Sequence, residues 1–283
     1  LVIVALLLLT VGLLSIPVVW GFQTMYSLTT TACVTTPTPH QYGLPHEVVT
    51  FPSGDLTLTA YFIPASTDAT VIIAPPFNQD HGGQMDYAQV FHNAGLNVLV
   101  LGSRVCLGQP TTLGYAEGDD VTAAYTYLLS RDGINPQRVS VHGFSAGGAA
   151  ALFGAARTPQ IRAVSAMGNY HDMEANVGAN DPTLSPILRL HLVGLRWGFR
   201  AGTGMPLSQL APIHIMDDIN PRPVLLIYGT QEPQSDGRAL AAAATNSTLW
   251  EVPGVGHGGY LQAYPQDTQR ILGGFHANAL LSD

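Results

Sequence analysis

The stretch "RVSVHGFSAGGAA" (residues 138–150) decides the fold. Its first half alternates apolar and polar residues as a strand does. Its second half is the small-residue start of a helix, and Ser145 stands at the junction between Gly143 and Gly147. A G-x-S-x-G pentapeptide between a strand and a helix presents a serine hydroxyl above the edge of a sheet. Glycines on either side remove the Cβ atoms that would hold strand and helix apart. The same turn leaves the N–H of Ala146 at a helix N-terminus, aimed where an oxyanion would develop.

The rhythm around this stretch is that of strands alternating with helices. "LTLTAYFI" (56–63) alternates after the turn "PSGD", while "TVIIA" (70–74) and "NVLVL" (97–101) are continuous aliphatic runs of the kind buried on both faces. Between them Tyr87, Val90, Phe91 and Ala94 share one helical face, closed by Gly95. Val121, Ala124, Tyr125, Leu128 and Leu129 mark a second helix, and Ala149, Leu152, Phe153 and Ala156 a third. "IRAVSAM" (161–167), "PVLLIY" (223–228) and "TLWEV" (248–252) add strands, and Ile271, Leu272 and Phe275 mark the last helix. Such alternation predicts an α/β architecture, a mostly parallel sheet with helices on both faces. Ligands in these sheets bind at the carboxyl ends of the strands, the edge on which Ser145 lies. Residues 168–222 break the rhythm and are expected to form a small cap insertion, with helix around 184–198.

A serine hydroxyl needs a base to take its proton, and the base needs a group to orient it. His257 is the candidate base, in the Gly-rich loop "VPGVGHGGY" (252–260) after the last strand. His142 precedes the elbow inside a strand and reads as a core histidine. His81, His92, His171, His191, His214 and His276 read as surface or helix residues. The orienting acid belongs between the serine and the histidine, and "LLIYGTQEPQSD" (225–236) offers Glu232 first. Asp236 is the alternative acid and Asp172 a third possibility. The second oxyanion donor is expected after "TVIIA", where Pro75 and Pro76 have no N–H and Phe77 is the first residue that does. Asp80, His81 and Asp86 match no metal-ligand spacing and read as loop residues, so no metal is expected.

The first 22 residues, "LVIVALLLLTVGLLSIPVVWGF", carry no charge. As a helix they would run about 33 Å, enough for a hydrocarbon core of about 30 Å. Residues 1–22 are expected to be a transmembrane signal-anchor, with Trp20 and Tyr26 at the interface. A cleaved signal, with Thr30-Thr31-Ala32 as a weak cleavage site, is the alternative. Residues 23–45 read as a Thr/Pro-rich linker and 46–283 as one domain. The anchor reading places the domain outside the cytoplasm, and the cleaved reading makes it secreted. The chain has a net charge of -8 and 11 basic residues, all arginine and scattered singly, which excludes a nucleic-acid surface. The two cysteines, Cys33 in the linker and Cys106 in the domain, are too few for a disulfide framework and are expected to be unpaired.

Several stretches together resemble the alpha/beta hydrolase superfamily. They are "YGLPHEVVTFPSGDLTLTAYFIP", "FHNAGLNVLVLGSR", "LGYAEGDDVTAAYTYLLSRDGINPQRVSVHGFSAGG" and "VPGVGHGGY". The resemblance spans about residues 43–281. It is closest to the dienelactone-hydrolase-like and prolyl-peptidase-like serine hydrolases, which include members with one N-terminal membrane helix. It implies the alpha/beta-hydrolase fold, a Ser145–His257–Glu232 triad, oxyanion donors at Phe77 and Ala146, and no cofactor. Where relatives carry Asp in the acid loop this chain has Glu232. Their "HG" after the third strand is Pro75-Pro76, and their "D-x-R-G-x-G" is "GSRVCLG" (102–108). The implied activity is hydrolysis of a small-molecule carboxylic ester or related acyl bond. A peptidase or acyltransferase using the same triad, or a catalytically silent binding module, are the alternatives. The sequence carries no signal for oligomeric state.

Overall fold

The computed structural model describes Val2–Ser282. The chain divides into two compact units, Leu1–Thr31 with Asp172–Ala211, and Ala32–His171 with Pro212–Asp283. Helices of eight or more residues are α1 (Val2–Thr29), α2 (Met85–Asn93), α3 (Glu117–Leu128), α4 (Ala146–Arg157), α5 (Pro186–Thr203), α6 (Gln234–Ala243) and α7 (Gly274–Leu281).

The larger unit holds an eight-stranded sheet. Its strands are β1 (Glu47–Ser53), β2 (Leu56–Ile63), β3 (Thr70–Ala74), β4 (Asn97–Leu101), β5 (Val139–Phe144), β6 (Val164–Met167), β7 (Val224–Gly229) and β8 (Ser247–Val252). Their order is β1-β2-β4-β3-β5-β6-β7-β8. β1 and β2 pair antiparallel, as do β2 and β4, and every other pair is parallel. The period of two assigns side chains to faces. Ile72 and Ala74 join a core layer with Leu128, Val141 and Leu152, whereas Val71 and Ile73 join one with Phe91, Leu272 and Leu280. Because β3, β4 and β7 are buried along their whole length, they read as unbroken aliphatic runs rather than alternations. The terminal helix begins with a π-helical turn, Gln269–Gly273, before continuing as α7.

One polar chain runs through the second layer. His276 of α7, expected among the surface or helix histidines, is helical but fully buried. It is wedged between Ser140 Oγ at 2.7 Å from Nδ1 and Ser165 Oγ at 2.7 Å from Nε2. Ser165 Oγ also lies 2.8 Å from Nδ1 of His142, which is a buried core histidine as expected. Ser140 therefore belongs to the interior of β5 and has no access to solvent. Burial pushes His142 down to about 3. Burial, reinforced by the neighbouring His142, holds His276 well below the ordinary histidine value. In the unfolded chain both titrate near 6.5, so below that pH the unfolded state takes up protons that the folded state refuses. Stability is full above about pH 6.5 and falls as the pH drops toward about 3, by up to about 1.4 kcal/mol per unit for each histidine. Urea midpoints measured from about pH 8 to about pH 5 should fall steeply, and a flat profile would contradict this account.

The expectation of unpaired cysteines is corrected by the structure: Cys33 and Cys106 form a disulfide across a sequence separation of 73 residues. Spacing alone gave no reason to pair them, because the proximity is created only when the turn after β4, Arg104–Leu107, meets the segment after α1 in the folded chain. In the chain-entropy account a loop of that length restrains the unfolded chain by about 4 kcal/mol.

The smaller unit joins α1 to α5. α1 is long and apolar enough to cross a membrane, with a mean hydropathy of 2.8 in its most apolar window. It continues to Thr29, past the expected boundary at residue 22. Thr24 and Thr29 return their hydroxyls to the Trp20 and Met25 carbonyls, which lets polar residues prolong the helix. α5 runs alongside in the same direction, with a ridge of Gly194, Gly198 and Gly202 against α1. A Cβ at Gly194 would stand 2.0 Å from the Val18 carbonyl oxygen, and one at Gly198 2.3 Å from that of Phe22. Gly21 of α1 reciprocates, since its Cβ would stand 2.1 Å from the His191 carbonyl oxygen. Backbones this close require glycine.

Candidate active site

β5 ends in the elbow that the sequence announced. Ser145 has φ 56° and ψ −124°, a left-handed-side conformation that costs a non-glycine residue about 1–3 kcal/mol. Its N–H donates to the Met167 carbonyl (2.8 Å), and its own carbonyl accepts from Gly148 (2.9 Å), so sheet and helix hold the strain between them. A Cβ at Gly143 would lie 1.9 Å from the Gly147 carbonyl oxygen, and one at Gly147 2.4 Å from that of Ala74. These are the close approaches that keep the two flanking positions glycine.

The loop after β8 folds onto the end of β7. The Gln231 N–H donates to the Val255 carbonyl (3.0 Å), and the Thr230 N–H to that of Val252 (2.9 Å). This contact carries His257 between Ser145 and the β7 loop. His257 Nε2 lies 3.1 Å from Ser145 Oγ, and Nδ1 lies 2.7 Å from Glu232 Oε1. The imidazole is half-exposed, whereas the Glu232 side chain is buried. Phe144 packs its ring against the imidazole, with centroids 4.7 Å apart.

Glu232 is held at both oxygens. Oε2 accepts from the Gly229 N–H (2.6 Å) and from the Tyr260 hydroxyl. Burial alone would raise the carboxyl. The hydrogen bonds from His257, Tyr260 and the Gly229 N–H outweigh it, so the net shift is downward and the group stays ionised. An ionised carboxylate only accepts, so Nδ1 of His257 carries the proton and Nε2 presents its lone pair to the serine hydroxyl. Burial, with the acceptor Glu232, pushes the Tyr260 phenol far above its ordinary range, so it remains a donor.

The other acid candidates have different work. Asp236 lies in the first turn of α6 and accepts from the backbone N–H (2.9 Å) and the ring Nδ1 of His171. Asp172 caps the short helix Met173–Asn176 by accepting from the Glu174 and Ala175 N–H groups. Of the three, the structure brings Glu232 to His257. Ala146 is the first residue of α4, and Phe77 follows Pro75-Pro76 on the loop leaving β3. Among the described residues neither N–H donates a hydrogen bond. Asp80 and His81 belong to that loop, where Asp80 accepts from the Gly82 N–H (3.0 Å).

Two residues escaped the sequence reading. Tyr260 closes the loop "VPGVGHGGY" three residues after the histidine, and nothing local marks it as the partner of an acid. Gly168 follows β6 with φ +59°, and a Cβ there would stand 2.6 Å from the Tyr260 hydroxyl and 3.0 Å from both Glu232 Oε1 and His257 Cε1. The glycine keeps the space behind the acid–imidazole pair open. Its signal was its place directly after the strand "IRAVSAM".

The chain matches no protein-family model and no curated protein sequence. Solved structures do resemble it. An esterase of Pyrococcus furiosus superposes with a TM-score of 0.69 at 18% identity, covering 89% of this chain and 99% of that one. An alpha/beta hydrolase from Penicillium sp. sh18 gives 0.65 at 16% identity, covering 84% and 100%. An acylaminoacyl peptidase of Pyrococcus horikoshii gives 0.62 at 12% identity, covering 85% of this chain and 42% of that one. The fold is that of the alpha/beta hydrolases.

Proposed function

We propose that this protein is a serine hydrolase cleaving carboxylic esters, with Ser145 as nucleophile, His257 as general base and Glu232 as orienting acid. The observation that carries this reading is the unbroken hydrogen-bonded line from Ser145 Oγ through the imidazole to Glu232, at 3.1 and 2.7 Å. As Oγ attacks the acyl carbonyl, Nε2 takes its proton, and the ionised Glu232 stabilises the imidazolium that forms. The N–H groups of Ala146 and Phe77 receive the oxyanion. The imidazolium returns its proton to the leaving alkoxide. His257 then takes a proton from water as its oxygen attacks the acyl carbonyl. The imidazolium returns that proton to Ser145 Oγ as the acyl–Oγ bond breaks, freeing the acid and regenerating the serine. The resemblance of the sequence to dienelactone-hydrolase-like and prolyl-peptidase-like serine hydrolases supports a place in that branch. α1 serves as a membrane anchor with the hydrolase unit outside the cytoplasm. The Cys33–Cys106 disulfide supports that placement, since such bonds persist in oxidising compartments. Amide cleavage by the same triad is the second reading, favoured by the likeness to an acylaminoacyl peptidase.

The test is intact-mass measurement of the detergent-solubilised chain after exposure to a fluorophosphonate. Wild type should gain a single adduct that Ser145→Ala does not. A folded wild-type protein that gains none would refute the assignment.

A further inference from the structure

We infer that the segment following α1 is a strap that positions the oxyanion loop, with Cys33, Thr36, Asp80 and Cys106 as positioning residues. The inference rests on the catalytic reading of Ser145 and Phe77 given above. The loop after β3 begins Pro75-Pro76, which cannot donate to the sheet, so its path must be fixed from outside. Among the described residues, the hydrogen bonds that reach Phe77 and Asn78 come from two places. On one side Val34 pairs with the loop as a short parallel bridge to Gln79. Its N–H donates to the Asn78 carbonyl (2.8 Å), and its carbonyl accepts from the Asp80 N–H (3.2 Å). On the other side Ser103 Oγ donates to the Phe77 carbonyl (3.3 Å).

The two sides are joined. Asp80 accepts from the Thr36 N–H (3.2 Å) and the Thr36 hydroxyl, as well as from the Gly82 N–H. A Cβ on Gly82 would stand 1.8 Å from the Pro37 carbonyl oxygen, so the strap lies directly on the loop. Ser103 Oγ also accepts from the Val105 N–H (3.2 Å), starting the 3-10 turn Arg104–Leu107 that carries Cys106. Cys106 is bonded to Cys33, next to Val34. The circuit Phe77, Asn78, Val34, Cys33, Cys106, Ser103 and back to Phe77 is closed by hydrogen bonds, one covalent crosslink and short runs of chain. A donor N–H on such a loop is held where it is before substrate arrives, and preorganisation of this kind is what makes an oxyanion donor effective.

The strap predicts a split between turnover and binding. In the detergent-solubilised full chain, Cys33→Ala/Cys106→Ala should lower kcat on a p-nitrophenyl ester by about a hundredfold, the usual consequence of a donor displaced by about 1 Å. KM should change by less than about threefold, because a misplaced oxyanion donor affects the transition state more than the bound ester. Thr36→Val leaves the disulfide and the circuit in place and removes the hydroxyl that ties the strap to Asp80 of the loop, so it loosens the strap without removing a crosslink. It should lower kcat by about tenfold, with affinity for a trifluoromethyl ketone analogue falling in proportion. Both variants should retain the downfield proton resonance of the His257–Glu232 pair. Loss of thermal stability with unchanged kcat and analogue affinity, measured well below the melting temperature, would reduce the strap to a structural tie and overturn the inference. If wild type itself neither turns over ester nor reacts at Ser145, the catalytic reading fails and the strap with it.

Discussion

His257→Ala should reduce kcat for ester hydrolysis by about 10⁴ to 10⁶, as removal of the base of a serine triad does. Nε2 is the one side-chain acceptor bonded to Ser145 Oγ among the described residues, so nothing else stands ready to take the proton. The effect should not add to that of Ser145→Ala. Either loss alone disables the same step, leaving only the oxyanion donors and substrate binding, and the double variant should be no slower than either single one within about threefold. Single-turnover rates with a chromogenic ester measure this. Full additivity across the two sites would mean that serine and histidine do not act as a unit. Neither change should disturb the fold, because the imidazole is half-exposed and its loop is held by the Gln231–Val255 and Thr230–Val252 backbone bonds.

Glu232→Gln should cost about 10³ to 10⁴ in kcat, for a reason specific to how this acid is held. The Gly229 N–H and the Tyr260 hydroxyl both donate to Oε2. A carboxamide can answer two donors only with its oxygen, so the amide NH₂ would be turned toward His257 Nδ1. Facing a donor, Nδ1 must give up its proton and become an acceptor, and the proton moves to Nε2. The nitrogen that should receive the serine proton then carries one of its own. The variant should keep KM within about threefold and its melting temperature within a few degrees while losing turnover. Retention of more than about a tenth of wild-type kcat would mean that another acid orients His257.

What the sequence made legible was whatever a local period or a short motif carries. The elbow at Ser145, the buried runs of β3 and β4 and the histidine loop each announce themselves within ten residues. Glu232 was readable because its loop leaves a recognisable strand. β1 was not identified because it is an edge strand with only Phe51 and Ser53 buried, so its apolar pattern is weak. The far end of α1 looked like linker because threonines that favour loops can satisfy their hydroxyls on the preceding turn of a helix. His276 looked ordinary because nothing local reveals that two serines from β5 and β6 enclose it. The Cys33–Cys106 bond and the role of Tyr260 are products of chain crossings, which composition and spacing do not encode.

The glycine ridge of α5 has a consequence for the order of events at the ribosome. Synthesis runs at about 5–20 residues per second, so α1 is complete on the order of ten seconds before Gly194, Gly198 and Gly202 exist. For that interval the helix needs a medium that solvates Leu, Val and Ile yet leaves the face around Val18, Gly21 and Phe22 free for its later partner. Water leaves those side chains unsolvated, and α1 is long and apolar enough to cross a bilayer. The late partner in turn depends on the early one. A chain whose first helix was clipped away during export would finish with the ridge of α5 bare.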